Sequence, residues 1–188
     1  MNIVHKGGDI MPKVIKNLRE TILLEAKTIL LTENFKALSI REIAKRCNIG
    51  TGTFYNYFST KEQLAAEIFR EDWKKVSTLV DALKLTEDPC KEKFRKIYLS
   101  IGVFVSSYIS IFNEMATTSE EDYRCKESNK YDILYIKISE LLDIERAKGH
   151  VVSTLSSYNL AELIVSNIMY LNKSKFISFD ELYDNLKI

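Results

Sequence analysis

A chain of 188 residues with 46% apolar and 28% charged side chains can bury a sizeable core, which excludes a disordered polyelectrolyte. Only 6 Gly and 2 Pro are present, too few for a β-sandwich or barrel, which needs turn residues about every 8–12 positions. The net charge of +1 is unevenly spread: residues 13–61 hold nine Lys/Arg against four Asp/Glu, so a basic N-terminal third sits on an acidic body and suggests a polyanionic partner at one end.

The first helix is predicted from Pro12, with Ile15, Leu18, Ile22, Ala26, Ile29 and Leu30 on one stripe. Asn34 is expected to close it in the left-handed conformation. Ser39-Ile40-Arg41-Glu42 reads as a capping box, and a short helix to Arg46 follows, with Ile43 and Ala44 facing inward. Cys47-Asn48-Ile49 is a tight turn in which Asn48 tolerates positive φ, and a second short helix is predicted over residues 51–58. Thr60-Lys61-Glu62-Gln63 is another capping box, opening a long helix through Trp73 to Val80. Residues 81–89, ending in Asp88-Pro89, are a break.

Beyond the break, a broad apolar face (Phe94, Ile97, Tyr98, Ile101, Phe104, Val105, Tyr108, Ile109, Phe112) predicts a helix ending near Met115. A polar stretch, residues 117–126, follows. Residues 131–148 form an amphipathic helix with Gly149 as its C′ residue. Ser156 or Ser157 caps another, carrying Leu160, Leu163, Ile164, Ile168 and Leu171. A last short helix starts at Ser178. The fold class is therefore all-α.

Cys47, Cys90 and Cys125 are odd in number and far apart, and His5 and His150 equally so; neither a disulfide framework, a metal site nor a catalytic constellation is expected, and no cofactor. The apolar run at residues 101–112 is too short to span a bilayer, and residues 1–9 lack a signal-peptide core, so a cytoplasmic location without membrane association is expected. Cys47 reads as a small buried hydrophobe, and Lys27 and Lys36 as solvated charges.

A capped helix, a three- to four-residue turn and a second short helix make a helix-turn-helix, whose second helix enters the major groove of DNA. Thr51, Gly52, Thr53 and Asn56 give that helix a short, polar face that lets the backbone approach base edges, while Tyr55 and Lys61 can reach phosphates. Phe54 and Phe58 are expected in the core, and Tyr57 divides evenly between core and DNA contact.

Ser39-Ile40-Arg41-Glu42-Ile43-Ala44-Lys45, then Asn48-Ile49-Gly50-Thr51-Gly52-Thr53-Phe54-Tyr55-Asn56-Tyr57-Phe58 and Lys61-Glu62-Gln63-Leu64, resemble the DNA-binding domain of TetR-family (TetR/AcrR-type) transcriptional regulators. Two positions depart from the family pattern: Asn48 stands where Gly is usual, and Gly50 where Ser commonly caps the recognition helix. The resemblance covers about residues 13–70. It implies a disordered segment at residues 1–12, a DNA-binding domain at 13–60, and an effector-binding and dimerisation domain at 61–188 whose first part, 61–80, is a connecting helix. It adds Ser39, Arg41 and Tyr57 to the DNA-contacting residues. It implies a homodimer on a palindromic operator, paired through helices 131–148 and 156–172, and a repressor released by a small-molecule effector. Trp73, Tyr98, Ile101, Phe104, Val105, Tyr108, Phe112 and Tyr123 are the candidate effector-pocket residues. Glu114 is the only nearby carboxylate that could receive a cationic ligand. An enzyme with an incidental helix-turn-helix and a helical adaptor remain the alternatives.

Overall fold

The computed structural model describes residues 17–118, 132–174, 177–186 and 188. The expected segment 1–12, the start of the first helix at Pro12, Tyr123, Cys125 and Tyr131 lie outside them. Eight helices and no strand occur among the described residues: α1 (Leu18–Thr32), α2 (Ile40–Arg46), α3 (Thr51–Tyr55), α4 (Lys61–Lys84), α5 (Cys90–Thr118), α6 (Asp132–Ala147), α7 (Ser157–Ser174) and α8 (Phe179–Leu186).

Two apolar cores share α4. Its first half packs Leu64, Ala65, Ile68 and Phe69 onto Ile22, Ala26 and Ile29 of α1, Ile43 of α2 and Phe54 of α3. Its second half packs Val76, Val80 and Leu83 onto Ile97 and Ile101 of α5, Leu134 to Leu142 of α6, and Leu160 to Leu171 of α7. The long α5 serves both cores, because Phe104, Tyr108 and Ile111 reach back to the N-terminal helices.

Several local expectations need correction. Asn34 is not left-handed; its Oδ1 accepts a hydrogen bond from the Ala37 amide at 2.8 Å, so the side chain builds the turn instead of the backbone. Ser39 lies at the N-cap of α2 but its hydroxyl makes no cap hydrogen bond, and the Glu42 carboxylate, instead of reaching back, pairs forward with Arg46 at 2.9 Å, one turn away. At α4, Thr60 Oγ1 accepts from the Gln63 amide at 3.0 Å, whereas Gln63 reaches past Thr60 to the Ser59 amide at 2.7 Å. The α4 helix extends to Lys84, one turn beyond Val80, and α3 is shorter than residues 51–58.

The α5 helix also outruns its expected end at Met115, and over Cys90–Met115 it is long and apolar enough, by length and composition alone, to cross a bilayer. Phe94, Ile97, Ile101, Phe104, Val105, Tyr108 and Ile111 are buried against other helices, whereas Leu99 and Val103 of the same helix are exposed. Gly149 has φ of 80° and closes α6 as expected: its amide bonds to Arg146 O at 2.9 Å and the His150 amide to Glu145 O at 3.0 Å, the paired bonds of a Schellman end.

Candidate nucleic-acid interface

The same C-terminal chemistry builds the turn between α2 and α3. Asn48 takes φ of 54°, its amide bonds to Lys45 O at 3.1 Å, and the Ile49 amide bonds to Ala44 O at 2.9 Å. Asn accepts this left-handed conformation with less strain than other residues bearing a Cβ, so it substitutes for Gly here. Gly50 then adopts an extended backbone at the start of α3, and its carbonyl accepts from the Thr53 and Phe54 amides at 3.0 and 3.3 Å.

What holds α3 in place is aromatic burial. Phe54 is fully buried and packs its ring against Phe58, with centroids 5.9 Å apart. Burying each ring contributes on the order of 1.5–3 kcal/mol, more than propensity supplies to a helix of 5 residues. The Arg19 guanidinium lies 5.4 Å over the Phe58 ring and pairs with Glu67 at 2.8 Å, which ties α1 to α4 behind the motif. Cys47 is buried in this core, and burial pushes its thiol pKa up.

With Phe54 and Phe58 inside, the opposite side faces outward. Thr51, Gly52, Tyr55, Asn56 and Tyr57 are exposed, and Thr53 is half-buried. Tyr57 is 42% exposed, so it is not a core residue. Ser39 and Arg41, at the start of α2, are exposed as well. Arg41 and Lys45 form no ion pair among the described residues, whereas Arg46 is engaged by Glu42 and, at 3.6 Å, Glu33. Lys61 is only half-exposed: its ammonium stacks 4.3 Å from the centre of the Phe35 ring and sits 3.5 Å from Phe35 O. No steric demand inside the protein explains Gly52, since a Cβ there would meet nothing within 4 Å.

The α1–α2 turn carries a restraint that sequence spacing could not reveal. Glu114 of α5 accepts from the Phe35 amide at 2.9 Å and the Lys36 amide at 3.2 Å. Its carboxylate therefore fixes the helix-turn-helix to α5 and is not held ready for a cationic ligand.

A second concave feature, a cleft of about 390 Å³, opens between α1, α4 and α5. Phe104 and Tyr108 line it, joined by Lys27, Leu31, Asp72, Lys75, Val76 and Val103. The other candidate pocket residues lie elsewhere. Ile101 and Val105 are in the C-terminal core, and Tyr98 stacks on Phe179 of α8 with centroids 5.3 Å apart. Trp73 packs behind Phe104 at 4.9 Å, and Phe112 packs on Phe69 at 4.6 Å. Lys27 is not a solvated charge: it donates to Asp72 Oδ1 at 2.7 Å, Lys75 donates to the same oxygen at 2.7 Å, and the Tyr108 hydroxyl donates to Oδ2 at 2.5 Å. Burial acts to raise the Asp72 pKa, but these three donors outweigh it and hold the carboxyl below its ordinary range. The Tyr108 hydroxyl is pushed up by burial and by that carboxylate.

The sequence pattern described as bacterial regulatory proteins, tetR family, matches residues 22–68, from α1 into α4. The uncharacterized HTH-type transcriptional regulator YhgD of Bacillus subtilis is 32% identical over 102 residues, 52% of this chain and 53% of that protein. The HTH-type transcriptional repressor KstR2 of Mycolicibacterium smegmatis is 35% identical over 127 residues, 65% of this chain and 58% of that protein. The chain thus spans about half the length of the curated relatives it matches. Salmonella enterica GusR has the same fold at a TM-score of 0.68, with 18% identity over 93% of this chain and 95% of that one. The helix-turn-helix, its flanking helices and the all-helical body agree with these similarities, and residues 22–68 match the tetR family of bacterial regulatory proteins.

Proposed function

We propose that the protein is a homodimeric transcriptional regulator, a repressor that binds a palindromic operator and is released from it by a small molecule. The observation that carries this reading is the α3 surface: two buried aromatics on one side, and short polar side chains with a sterically unneeded glycine on the other. Thr51, Gly52, Thr53 and Asn56 read base edges, and Tyr55, Tyr57 and Lys61 contact phosphates. Ser39, Arg41 and Lys45 extend the contact along the DNA backbone.

Pairing through α6 and α7 fits their surfaces, where Ile133, Ile136, Tyr158, Leu163 and Tyr170 are exposed. A two-fold dimer sets two α3 helices against half-sites whose centres are about 34–36 Å apart. α4 belongs to both cores, so tilting it changes that separation and costs simultaneous docking.

Selection of binding sites from random DNA at physiological salt, followed by salt titration of the winners, tests the reading. A palindromic winner whose affinity falls steeply with salt is expected. Tyr55→Phe and Arg41→Ala should weaken all sequences alike, while Thr53→Ala and Asn56→Ala should change preference among them. Salt-sensitive binding without sequence preference would favour an adaptor for an acidic partner and defeat the regulator.

A further inference from the structure

The cleft between α1, α4 and α5 has a polar wall and an apolar wall. The polar wall carries two ammonium groups, Lys27 and Lys75, against one carboxylate, Asp72, so it keeps an excess positive charge. That carboxylate is already satisfied by three donors: both lysines and Tyr108. The apolar wall is Leu31, Val76, Val103 and Phe104. Val103 is 67% exposed and Leu31 45%, so an apolar rim continues outward from the cleft mouth.

We propose that this cleft binds a small anionic amphiphile. A carboxylate or phosphate head lies between Lys27 and Lys75, and a short apolar tail covers Leu31, Val103 and Phe104. Charge decides against a cation, which would meet two ammonium groups and a carboxylate already holding three donors. A neutral alcohol would gain the apolar wall and leave the lysine excess unanswered. The volume, about 390 Å³, lies within the ordinary range for small-ligand sites, roughly 300–1,000 Å³.

The head group competes with Asp72 for Lys27, and that competition gives the cleft a consequence. Lys27 belongs to α1, which packs with α2 and α3, whereas Asp72 and Tyr108 belong to α4 and α5. Drawing Lys27 away undoes the polar tie in the middle of the α1–α4 contact and leaves Arg19–Glu67, at 2.8 Å, as the tie nearer the start of α1. The bound anion thereby frees α1 to turn about that remaining tie. This role in release rests on the regulator reading above; the binding chemistry does not.

The test uses the full chain and its single tryptophan, Trp73, whose ring meets the cleft residue Phe104 edge-on at 4.9 Å. Decanoate, decyl phosphate, decanol, decyltrimethylammonium and inorganic phosphate are each titrated below micellar concentrations, with Trp73 fluorescence as the readout. Saturation by decanoate or decyl phosphate at concentrations at least tenfold below decanol, and none by the cation, is expected; the two anions also separate a carboxylate from a phosphate site. Val103→Glu, at an exposed position that folding tolerates, should weaken the anion at least tenfold, and Lys75→Gln several-fold. Asp72→Asn removes the internal competitor and should tighten it.

Equal response to decanol, or unchanged affinity in both Val103→Glu and Lys75→Gln, overturns the assignment. Operator binding is measured separately. A protein that selects anions but binds no DNA keeps the cleft assignment and loses the regulator; one that binds DNA without anion-selective saturation loses the cleft assignment alone.

Discussion

Lys93 of α5 and Glu145 of α6 meet at 2.9 Å with their side chains 0% and 1% exposed. Two opposite charges are thus taken out of water in the C-terminal core, where desolvation is costly unless each is fully satisfied. Glu145 is: its second oxygen lies 2.7 Å from His150 Nδ1, and Lys148 approaches the first at 3.6 Å. The Schellman end of α6 delivers His150 to this point, since its amide bonds to Glu145 O.

Glu145→Gln should therefore be among the most destabilising single substitutions, because it strands a buried ammonium. A loss of about 3–5 kcal/mol in urea unfolding is expected, and most of it should return in the doubly apolar variant Lys93→Met with Glu145→Leu. A loss no larger than that of an exposed pair such as Arg95–Glu92 would contradict the account.

The same carboxylate makes stability depend on pH. Burial works to raise the Glu145 pKa, but its bonds to His150 and Lys93 and the nearby lysine charges prevail and lower it from 4.5. A folded pKa below the unfolded one gives stability that is complete above about pH 4.5 and lost as pH falls through the folded value. Thermal melts should show this decline, and Glu145→Gln should flatten it.

Asn48 holds the left-handed turn on which the position of α3 depends. Asn48→Gly should keep stability within a few tenths of a kcal/mol or raise it, whereas Asn48→Val should cost on the order of 1–2 kcal/mol, read from denaturant midpoints. Equal midpoints would mean that the turn relaxes to another conformation.

Gly52 separates stability from function. Inside a helix Gly is worth roughly 0.5–1 kcal/mol less than Ala, and a Cβ here meets nothing within 4 Å. Gly52→Ala should raise the melting temperature while weakening operator binding by tenfold or more. Improved stability with unchanged DNA affinity would remove the close approach assigned to this position.

Leu163, exposed on α7, lies on the surface assigned to the second copy. Leu163→Glu should leave the helical circular dichroism spectrum intact and shift the protein from dimer to monomer in analytical ultracentrifugation. A variant that sediments unchanged would move the dimer contact away from this face.

Much of the fold was legible because helices announce themselves locally. The three- and four-residue spacing of Ile22, Ala26, Ile29 and Leu30 marked the buried stripe of α1, and all four are buried. Asn48 and Gly149 marked two helix ends, since positive φ is a property of single residues. The capping readings fared worse at Ser39 and Gln63, where a carboxylate or amide had two reachable partners and the pattern did not rank them.

Sequence by itself determined an all-helical chain with a helix-turn-helix near its N-terminus and short polar residues along its second helix, because periodicity, turn chemistry and motif spacing act within a few residues. Tertiary structure alone decided that Lys27 is bound to Asp72, that Glu114 clamps the Phe35 and Lys36 amides, and that Lys93 is neutralised by Glu145. These partners lie 45, 79, 78 and 52 positions apart. A helical pattern states which face of a helix turns inward, but not which other helix it will meet. The partner of each charge, and with it the cleft between α1, α4 and α5, follows from how the helices pack.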